Sequence, residues 1–370
     1  AQKDIKRLLA FSSVENVGII TMGLGAGLVA LGTGLDTVAS IAFLGSLLHV
    51  LNHGLFKSLL FYGGGAAAKA AGTRDIEELG GLLKRMPVTG ATFLIGSAAI
   101  SALPPLNGFV SEWLIYTGLL GGGIHGGGAA SMTLLSAVPV LALVGGLALA
   151  CFAKAFGVVF LGEPRSERAT NCAEPSAWMT VPMVFAALCC AAVGLAAPFI
   201  VSIAAPAAEA LAGMAGKTAG EGVALPEFLT PVVIASWMLI LVAATLLLLR
   251  VLLLRGRAVS VGPTWGCGYT QPSPRMQYTA SSFAGPILEP LRSLMRPSLR
   301  KQRPKGPFPA KASFESGYKD PADRLIFDPS VSVIERFATM LRPLQQGRLQ
   351  VYLLYVLVTL VILMAWRVFA

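Results

Sequence analysis

The stretch from Ile41 to Ala68 limits what this chain can fold into more than any other. It is apolar enough and long enough to cross a bilayer as a helix. Inside it, residues 49–61 read HVLNHGLFKSLLF and carry two of the chain's three histidines together with a lysine. His49, His53 and Lys57 recur at intervals of four residues. On a helix each such step turns about 40°, so the three share one slowly drifting stripe. A lysine at the centre of a membrane helix costs about 2.5–3.5 kcal/mol on insertion scales. Either the stripe faces other protein and water, not lipid, or the segment is not a membrane helix.

The rest of the chain has the same character. Of its 370 residues 55% are hydrophobic and 13% charged, with a mean hydropathy of +0.70, where a soluble domain carries about 25% charged residues. This composition predicts an all-α polytopic membrane protein. Seven spans are expected, at Leu9–Leu31, Ile41–Ala67, Val88–Leu120, Leu134–Leu161, Trp178–Ile203, Val232–Leu254 and Val351–Phe369. The third is interrupted by Ala102-Leu103-Pro104-Pro105-Leu106-Asn107-Gly108. Two prolines in succession remove two backbone donors and break a helix. Inside a membrane such a break survives only where protein or a water-lined cavity satisfies the freed groups. The fourth span contains Gly145-Gly146 and, near its end, Lys154. A broken helix beside two lysine-bearing ones suits a transporter-like core.

Loop charge gives an independent orientation. With the beginning of the chain inside, the inner segments hold Lys3, Lys6 and Arg7, then Lys69, Arg74, Lys84 and Arg85, then Arg165 and Arg168, and finally Arg250 with the basic stretch up to Arg348. The outer segments hold Asp36, an uncharged glycine-rich loop at 121–128, and Lys217 among Glu209, Glu221 and Glu227. This pattern obeys the positive-inside rule and the reverse orientation does not. Residues 255–348 form the one large extramembrane segment, with 15 Lys+Arg against 6 Asp+Glu. Tethered between two spans and without a nucleic-acid-binding module, it is expected against anionic lipid or an acidic partner subunit. The chain starts Ala1-Gln2-Lys3, without methionine or signal peptide, and is read as the C-terminal part of a longer protein.

Several chemistries find no residues. Cys151, Cys172, Cys189, Cys190 and Cys267 show neither CxxC nor His/Cys ligand spacing. No nucleotide loop, haem motif, iron–sulfur motif or Ser/His/Asp set is present. His49 and His53 have the i,i+4 spacing of a metal pair but no carboxylate or cysteine companion nearby. The groups that stand out are ionisable ones inside spans. Lys57 and Lys154 read either as proton-carrying amines, because burial favours the neutral form of a lysine, or as residues snorkelling to an interface. His53 and His49 suit proton relay, against the alternative of satisfied core histidines. Glu112, just past the Pro-Pro break, reads as the partner of a buried lysine or as a relay, against the alternative of an interfacial carboxylate capping a half-helix. Lys6 reads as a path residue or a positive-inside anchor. Glu15 is expected to have a polar role near the inner surface.

Several motifs in order resemble one family. Asp4-Ile5-Lys6-Arg7-Leu8-Leu9-Ala10-Phe11-Ser12-Ser13 is followed by His49…His53-Gly54-Leu55-Phe56-Lys57-Ser58-Leu59-Leu60-Phe61, by Asp75-Ile76…Gly80-Gly81-Leu82, by Lys84-Arg85-Met86-Pro87 and by Pro104-Pro105-Leu106-Asn107-Gly108-Phe109. Together they resemble the proton-conducting antiporter-like subunits of respiratory complex I and of Mrp-type cation/proton antiporters. Trp265-Gly266-Cys267-Gly268-Tyr269, Pro274-Arg275-Met276-Gln277-Tyr278 and Gln345-Gln346-Gly347-Arg348-Leu349-Gln350-Val351-Tyr352 resemble the branch of hydrogenase-4 and formate hydrogenlyase membrane subunits. The resemblance implies two inverted five-helix repeats with discontinuous helices, of which this chain supplies the second. Residues 1–165 would form the proton-conducting repeat, 166–254 further transmembrane helices, 255–348 a basic cytoplasmic segment and 349–370 a C-terminal transmembrane helix. Lys57 and Lys154 match the central and exit-side lysines of the family pattern, His49 and His53 its connecting histidines, and Lys6 the lysine at the start of its helix.

The implied function is a proton-translocating subunit of a hydrogenase or complex I-like oxidoreductase. It would have no cofactor and no redox chemistry in this chain. Iron–sulfur clusters, and a nickel–iron site where the complex is a hydrogenase, would lie in partner subunits. The implied partners are other membrane subunits, a peripheral redox arm and the lipid bilayer. The implied location is the bacterial or archaeal cytoplasmic membrane, with the beginning of the chain inside and its end outside. A stand-alone cation/proton antiporter and a structural membrane anchor are the competing readings.

Overall fold

The computed structural model describes residues 2–213, 225–257, 273–274, 276–302, 313–318, 320–342, 347 and 349–369. Lys217, Glu221, the Trp265–Tyr269 motif with Cys267, Arg275, Gln345, Gln346 and Arg348 lie outside the described residues. The chain separates into two compact units, residues 1–286 and 287–370.

The first unit is a helical bundle of α1 (Ile5–Gly32), α2 (Asp36–Ala71), α3 (Pro87–Ile100), α4 (Asn107–His125), α5 (Gly128–Phe160), a short α6 (Glu167–Thr170), α7 (Ala177–Leu195), α8 (Ala197–Leu211), α9 (Leu225–Leu254) and the first residues of α10 (Ala280–Leu288). The 36-residue α2 lies at the centre, packed on α1, α3, α4, α7 and α8. It can occupy that place because, apart from the stripe carrying His49, Asn52, His53 and Lys57, its faces are apolar and can be buried against neighbouring helices. Phe56 of α2, Phe93 of α3 and Phe152 and Phe160 of α5 are fully buried where these helices meet. The second unit holds α11 (Arg292–Met295), a two-stranded antiparallel ribbon of β1 (Ser298–Gln302) and β2 (Ser313–Gly317), α12 (Asp328–Leu341) and α13 (Leu349–Phe369). That ribbon is the sole departure from helix among the described elements.

Six described helices are long and apolar enough to cross a membrane: α1, α2, α5, α7, Leu229–Leu254 of α9 and Leu349–Val368 of α13. With the broken pair α3/α4 they make up the seven expected spans, and the third is interrupted where the prolines predict. Two boundaries differ from expectation. The fifth span is not one helix from Trp178 to Ile203 but two, parted at Ala196 (φ −101°, ψ 25°). Pro198, in the first turn of α8, has no N–H to offer the carbonyl four residues back. The glycine-rich loop at 121–128 is mostly helix: α4 runs to His125, and Gly126 N donates to Gly122 O at 2.9 Å. Packing against α5 overrides the low helix propensity of glycine there.

The two breaks abut. A Cβ on Gly194, at the end of α7, would lie 2.0 Å from Pro105 O and 2.7 Å from Leu106 C. A Cβ on Gly108, at the start of α4, would lie 1.9 Å from Ala99 O. Only glycine allows backbone to pass backbone this closely at either place.

The basic loops gather at one end of the bundle. Ile5 N donates to Arg74 O and Ile76 N to Lys3 O, tying the approach to α1 to the loop after α2. Lys84 pairs with Glu163 at 2.8 Å, and Arg165 donates to Leu79 O and Val158 O at 2.7 Å each. Burial pulls the Arg165 guanidinium below the usual arginine range, against the opposing field of Glu77. Glu174 caps α3 at the same end, accepting from Val88 N at 2.8 Å and Thr89 N at 3.0 Å.

Candidate functional site

The polar residues of α1, α2 and α4 meet inside the bundle. On α1 they are Ser12, Glu15 and Asn16, at the i,i+3,i+4 spacing of one helix face. On α2 they are His49, Asn52, His53 and Lys57. On α4 they are Asn107, Ser111 and Glu112, in the first two turns after the Pro-Pro break. Lys57, Glu112, His49 and Lys154 are each no more than 6% exposed.

The network starts at Lys57, whose Nζ donates to Ser12 Oγ at 2.5 Å and lies 6.0 Å from the centre of the Phe152 ring. The Ser12 carbonyl accepts from Asn16 Nδ2 at 2.8 Å. Asn16 Oδ1 stands 3.1 Å from His49 Nε2, and His49 Nδ1 stands 3.0 Å from Ser111 Oγ. Asn52 Nδ2 donates to Ser111 Oγ at 3.0 Å and to Asn107 O at 2.8 Å, and Asn107 Nδ2 returns a bond to Asn52 Oδ1 at 3.2 Å. The chain of bonds thus runs from the lysine to the backbone of the helix break. Glu15 lies in the field of both Lys57 and Glu112. Cys151, on α5, lies in the field of both Lys57 and Lys154.

Direct ion pairs do not hold this group. Among the described residues the two salt bridges are Lys84–Glu163 and Arg292–Glu289, both on the surface. His53 is half-buried, edge-on to Phe56 at 5.8 Å, and its Nε2 has no protein partner. Ser97 Oγ on the neighbouring α3 and Ser101 Oγ just past its end are buried and equally unpartnered.

Of the residues singled out in the sequence, His49, Lys57 and Glu112 come together around this network, with His53 on the same face of α2. Lys154 lies apart, near the basic end, with Nζ donating to Gln2 O at 3.2 Å. It borders a cleft of about 440 Å³ whose other walls include Gly157, Tyr278, Ser282 and Phe283. Lys6 is exposed on the first turn of α1 and does not join the group. Glu15 and the amides and hydroxyls of Ser12, Asn16, Asn52, Asn107 and Ser111 are the members that reasoning from the sequence left out of the path. Their signal was present: polar residues three and four apart within spans, in phase with His49 and Lys57. Among the described residues no group of three or more His, Cys, Asp or Glu could hold a metal ion.

Residues 1–136 match the family model described as NADH:quinone oxidoreductase/Mrp antiporter, TM. Hydrogenase-4 component B of Escherichia coli (strain K12) is 37% identical over 376 residues, covering 98% of this chain and 55% of that protein. Formate hydrogenlyase subunit 3 of the same organism is 37% identical over 306 residues, covering 81% of this chain and 47% of that protein. A Na(+)/H(+) antiporter subunit of Alkalihalophilus pseudofirmus is 43% identical over 122 residues, covering 32% of this chain and 15% of that protein. The chain thus spans about half the length of the hydrogenase-type relatives it matches. A chain of the archaeal membrane-bound sulfane sulfur reductase shares the fold, with a TM-score of 0.55 at 18% identity over 96% of this chain and 55% of that one. These similarities support an antiporter-like membrane subunit.

Proposed function

We propose that this chain is part of a proton-translocating membrane subunit of a hydrogenase or complex I-like oxidoreductase. The observation that carries the reading is Lys57: a buried lysine with a hydroxyl as its hydrogen-bond partner and no acid within ion-pair distance. An amine so placed can bind and release a proton without breaking a salt bridge. His53, His49, Glu15 and Glu112 supply groups that exchange protons on one side of it, and Lys154 on the other. The protons would move along this row across the middle of the bundle. Electron transfer would occur in partner subunits holding iron–sulfur clusters and, in a hydrogenase, a nickel–iron site. The chain would act as the second of two inverted repeats, in contact with other membrane subunits and a peripheral redox arm. The end carrying Lys3, Lys84, Arg85 and Arg165 would face the cytoplasm of a bacterium or archaeon, following the positive-inside rule.

The test is proton uptake by inverted membrane vesicles containing the intact complex, driven by its electron donor. Lys57→Ala and Lys154→Ala in the full-length protein are expected to lower proton uptake while the complex still assembles. Uptake at wild-type stoichiometry in both variants would sink the reading and favour a membrane anchor. A second reading, cation/proton exchange outside any electron-transfer complex, draws on the likeness to the Na(+)/H(+) antiporter protein of Alkalihalophilus pseudofirmus. Purification separates the two. Iron–sulfur or nickel-containing subunits running with the protein support the first, and sodium-dependent proton exchange without them supports the second.

A further inference from the structure

The hydrogen bonds around His49 fix which of its ring nitrogens can exchange a proton. The constraint begins on α1. The Ser12 carbonyl can only accept, so the Asn16 amide must present its NH₂ to it, at 2.8 Å. Asn16 Oδ1 is thereby turned toward His49 Nε2, 3.1 Å away. An amide oxygen cannot donate, so Nε2 must carry a hydrogen in both the neutral and the cationic ring. A carboxamide also does not ionise near neutral pH, so it passes no proton onward to Ser12 and Lys57.

The other nitrogen faces a group that can change roles. His49 Nδ1 lies 3.0 Å from Ser111 Oγ. Ser111 Oγ also accepts from Asn52 Nδ2 at 3.0 Å and lies 3.1 Å from Gly108 O as a donor. Two complete arrangements follow. With neutral His49, the Ser111 hydroxyl donates to Nδ1. With cationic His49, Nδ1–H donates to Ser111 Oγ, and the hydroxyl turns to donate to Gly108 O. Ser111 then accepts two bonds and donates one, which is its full capacity. The two states differ by the rotation of one hydroxyl and by whether the Gly108 carbonyl, at the break before α4, receives its bond.

We infer that His49 takes up and gives back its proton only at Nδ1, through the Ser111 hydroxyl, and is closed toward Lys57 by Asn16. In the transfer, a protonated water on the α4 side gives its proton to Ser111 Oγ as the hydroxyl proton passes to Nδ1, leaving a water, the imidazolium and a hydroxyl directed at Gly108 O. The return runs in reverse, with water taking the proton, so atoms and charge balance. His49 therefore reports to the helix break and is not a through-wire. A proton passing between α4 and Lys57 must use a route other than His49 Nε2, and His53, whose Nε2 has no protein partner, lies one turn nearer Lys57 on the same stripe. Ser111 and Asn16 are positioning residues in this scheme. The titratable neighbours that share the region are His53 and Lys57 on α2, Glu15 on α1, Glu112 on α4 and Cys151 on α5.

The inference rests on the proton-carrying reading of the row, and the experiment separates the two. The full-length protein in its native complex is assayed for proton uptake as Ser111→Ala and Ser111→Thr, beside Lys57→Ala. Ser111→Ala is expected to lower proton uptake by about 10²–10⁴-fold, the range of lost proton-transfer groups, and to change its pH profile. Ser111→Thr, which keeps the hydroxyl, is expected to restore both. Nitrogen-15 NMR of labelled histidine, assigned with His49→Gln, is expected to find neutral His49 protonated on Nε2. This measurement on the unsubstituted protein decides the matter even where Ser111→Ala does not assemble. A neutral His49 carrying its hydrogen on Nδ1, or Ser111→Ala working at the wild-type rate and pH profile, would overturn the inference while loss in Lys57→Ala leaves the proposed function standing. Full activity in Lys57→Ala would remove the ground of both.

Discussion

Replacing Lys57 by methionine sets stability against function. Methionine is close to lysine in length and fits the same channel between Ser12 and Phe152, so packing changes little. Two electrostatic quantities change. The charged lysine carries an insertion cost of about 2.5–3.5 kcal/mol, which methionine does not. Its bond to Ser12 Oγ, as a hydrogen bond to a charged group, contributes about 1.5–3 kcal/mol, which methionine loses. The Ser12 hydroxyl stays satisfied because it donates to Leu9 O at 3.1 Å. The difference leaves Lys57→Met between about 0.5 kcal/mol less stable and about 2 kcal/mol more stable than the unsubstituted protein. Proton uptake, in contrast, is expected to collapse, because a thioether binds no proton. The assay pairs thermal unfolding of the purified full-length protein in detergent with proton uptake by vesicles holding the intact complex. A drop of more than about 3 kcal/mol would show that the ammonium holds the fold together, the result of stripping one partner from a buried pair. Wild-type uptake would show that Lys57 carries no protons. Either result refutes the reasoning.

Three other perturbations test separate parts. Glu112→Gln keeps size and hydrogen-bonding capacity but cannot ionise, so proton uptake is expected to fall while the complex assembles, and an unchanged rate removes Glu112 from the path. Gly194→Ala drives a Cβ to 2.0 Å from Pro105 O, where neither backbone can yield. It is expected to cost about 1–3 kcal/mol, read as an earlier unfolding transition, and an unmoved transition denies the contact between the two breaks. Glu77 accepts from Ala280 N at 3.1 Å and from Ser281 N at 3.0 Å, capping α10. Glu77→Ala is expected to cost the attachment of that segment about 0.5–2 kcal/mol, read as faster protease cleavage between Tyr278 and Pro286.

The sequence showed the membrane spans, the Pro-Pro break and the His49–Lys57 stripe because each is a local pattern with a large energetic consequence. A lysine in a span and two consecutive prolines stand out against an apolar background without any knowledge of neighbours. Glu15 is different. Its distance from the end of its span suggested a place near the surface, yet helix phase puts it one turn past Ser12, in the field of Lys57 and Glu112. Lys6 is the reverse case: its position at a helix start matched a family pattern, and its exposed side chain at the basic end fits the positive-inside anchor that was the other reading. The division of the fifth span was legible in Pro198. It went unread because a single proline near the middle of an apolar stretch is tolerated in many membrane helices, whereas here Gly194 must also pass Pro105. The amides of Asn16, Asn52 and Asn107 could be seen as polar residues, but their partners come from other helices, and a linear pattern does not contain them.

Those amides explain how a row of exchangeable groups keeps its geometry in so apolar a setting. Lysine, glutamate, histidine and serine can take up or pass on a proton, and each changes its hydrogen-bonding demands when it does. A network made only of such groups would rearrange at every transfer and leave buried atoms unpartnered, at about 1–3 kcal/mol each. Asparagine neither gains nor loses a proton near neutral pH, so its bonds have one sense. Asn16 ties α1 to His49, and the reciprocal Asn52–Asn107 pair ties α2 to the helix break at 3.2 Å and 2.8 Å. Of the bonds joining α1, α2 and α4 around His49, only those of the Ser111 hydroxyl can reverse. A proton arriving at His49 is thus converted into one rotation at the start of α4, next to Glu112, while the helices that carry the row stay fixed. This arrangement has a structural consequence. Asn107→Leu, which deletes the clasp but no proton carrier, should loosen the break and slow proton uptake, and an active, fully rigid Asn107→Leu protein would show that the amides do not set the geometry.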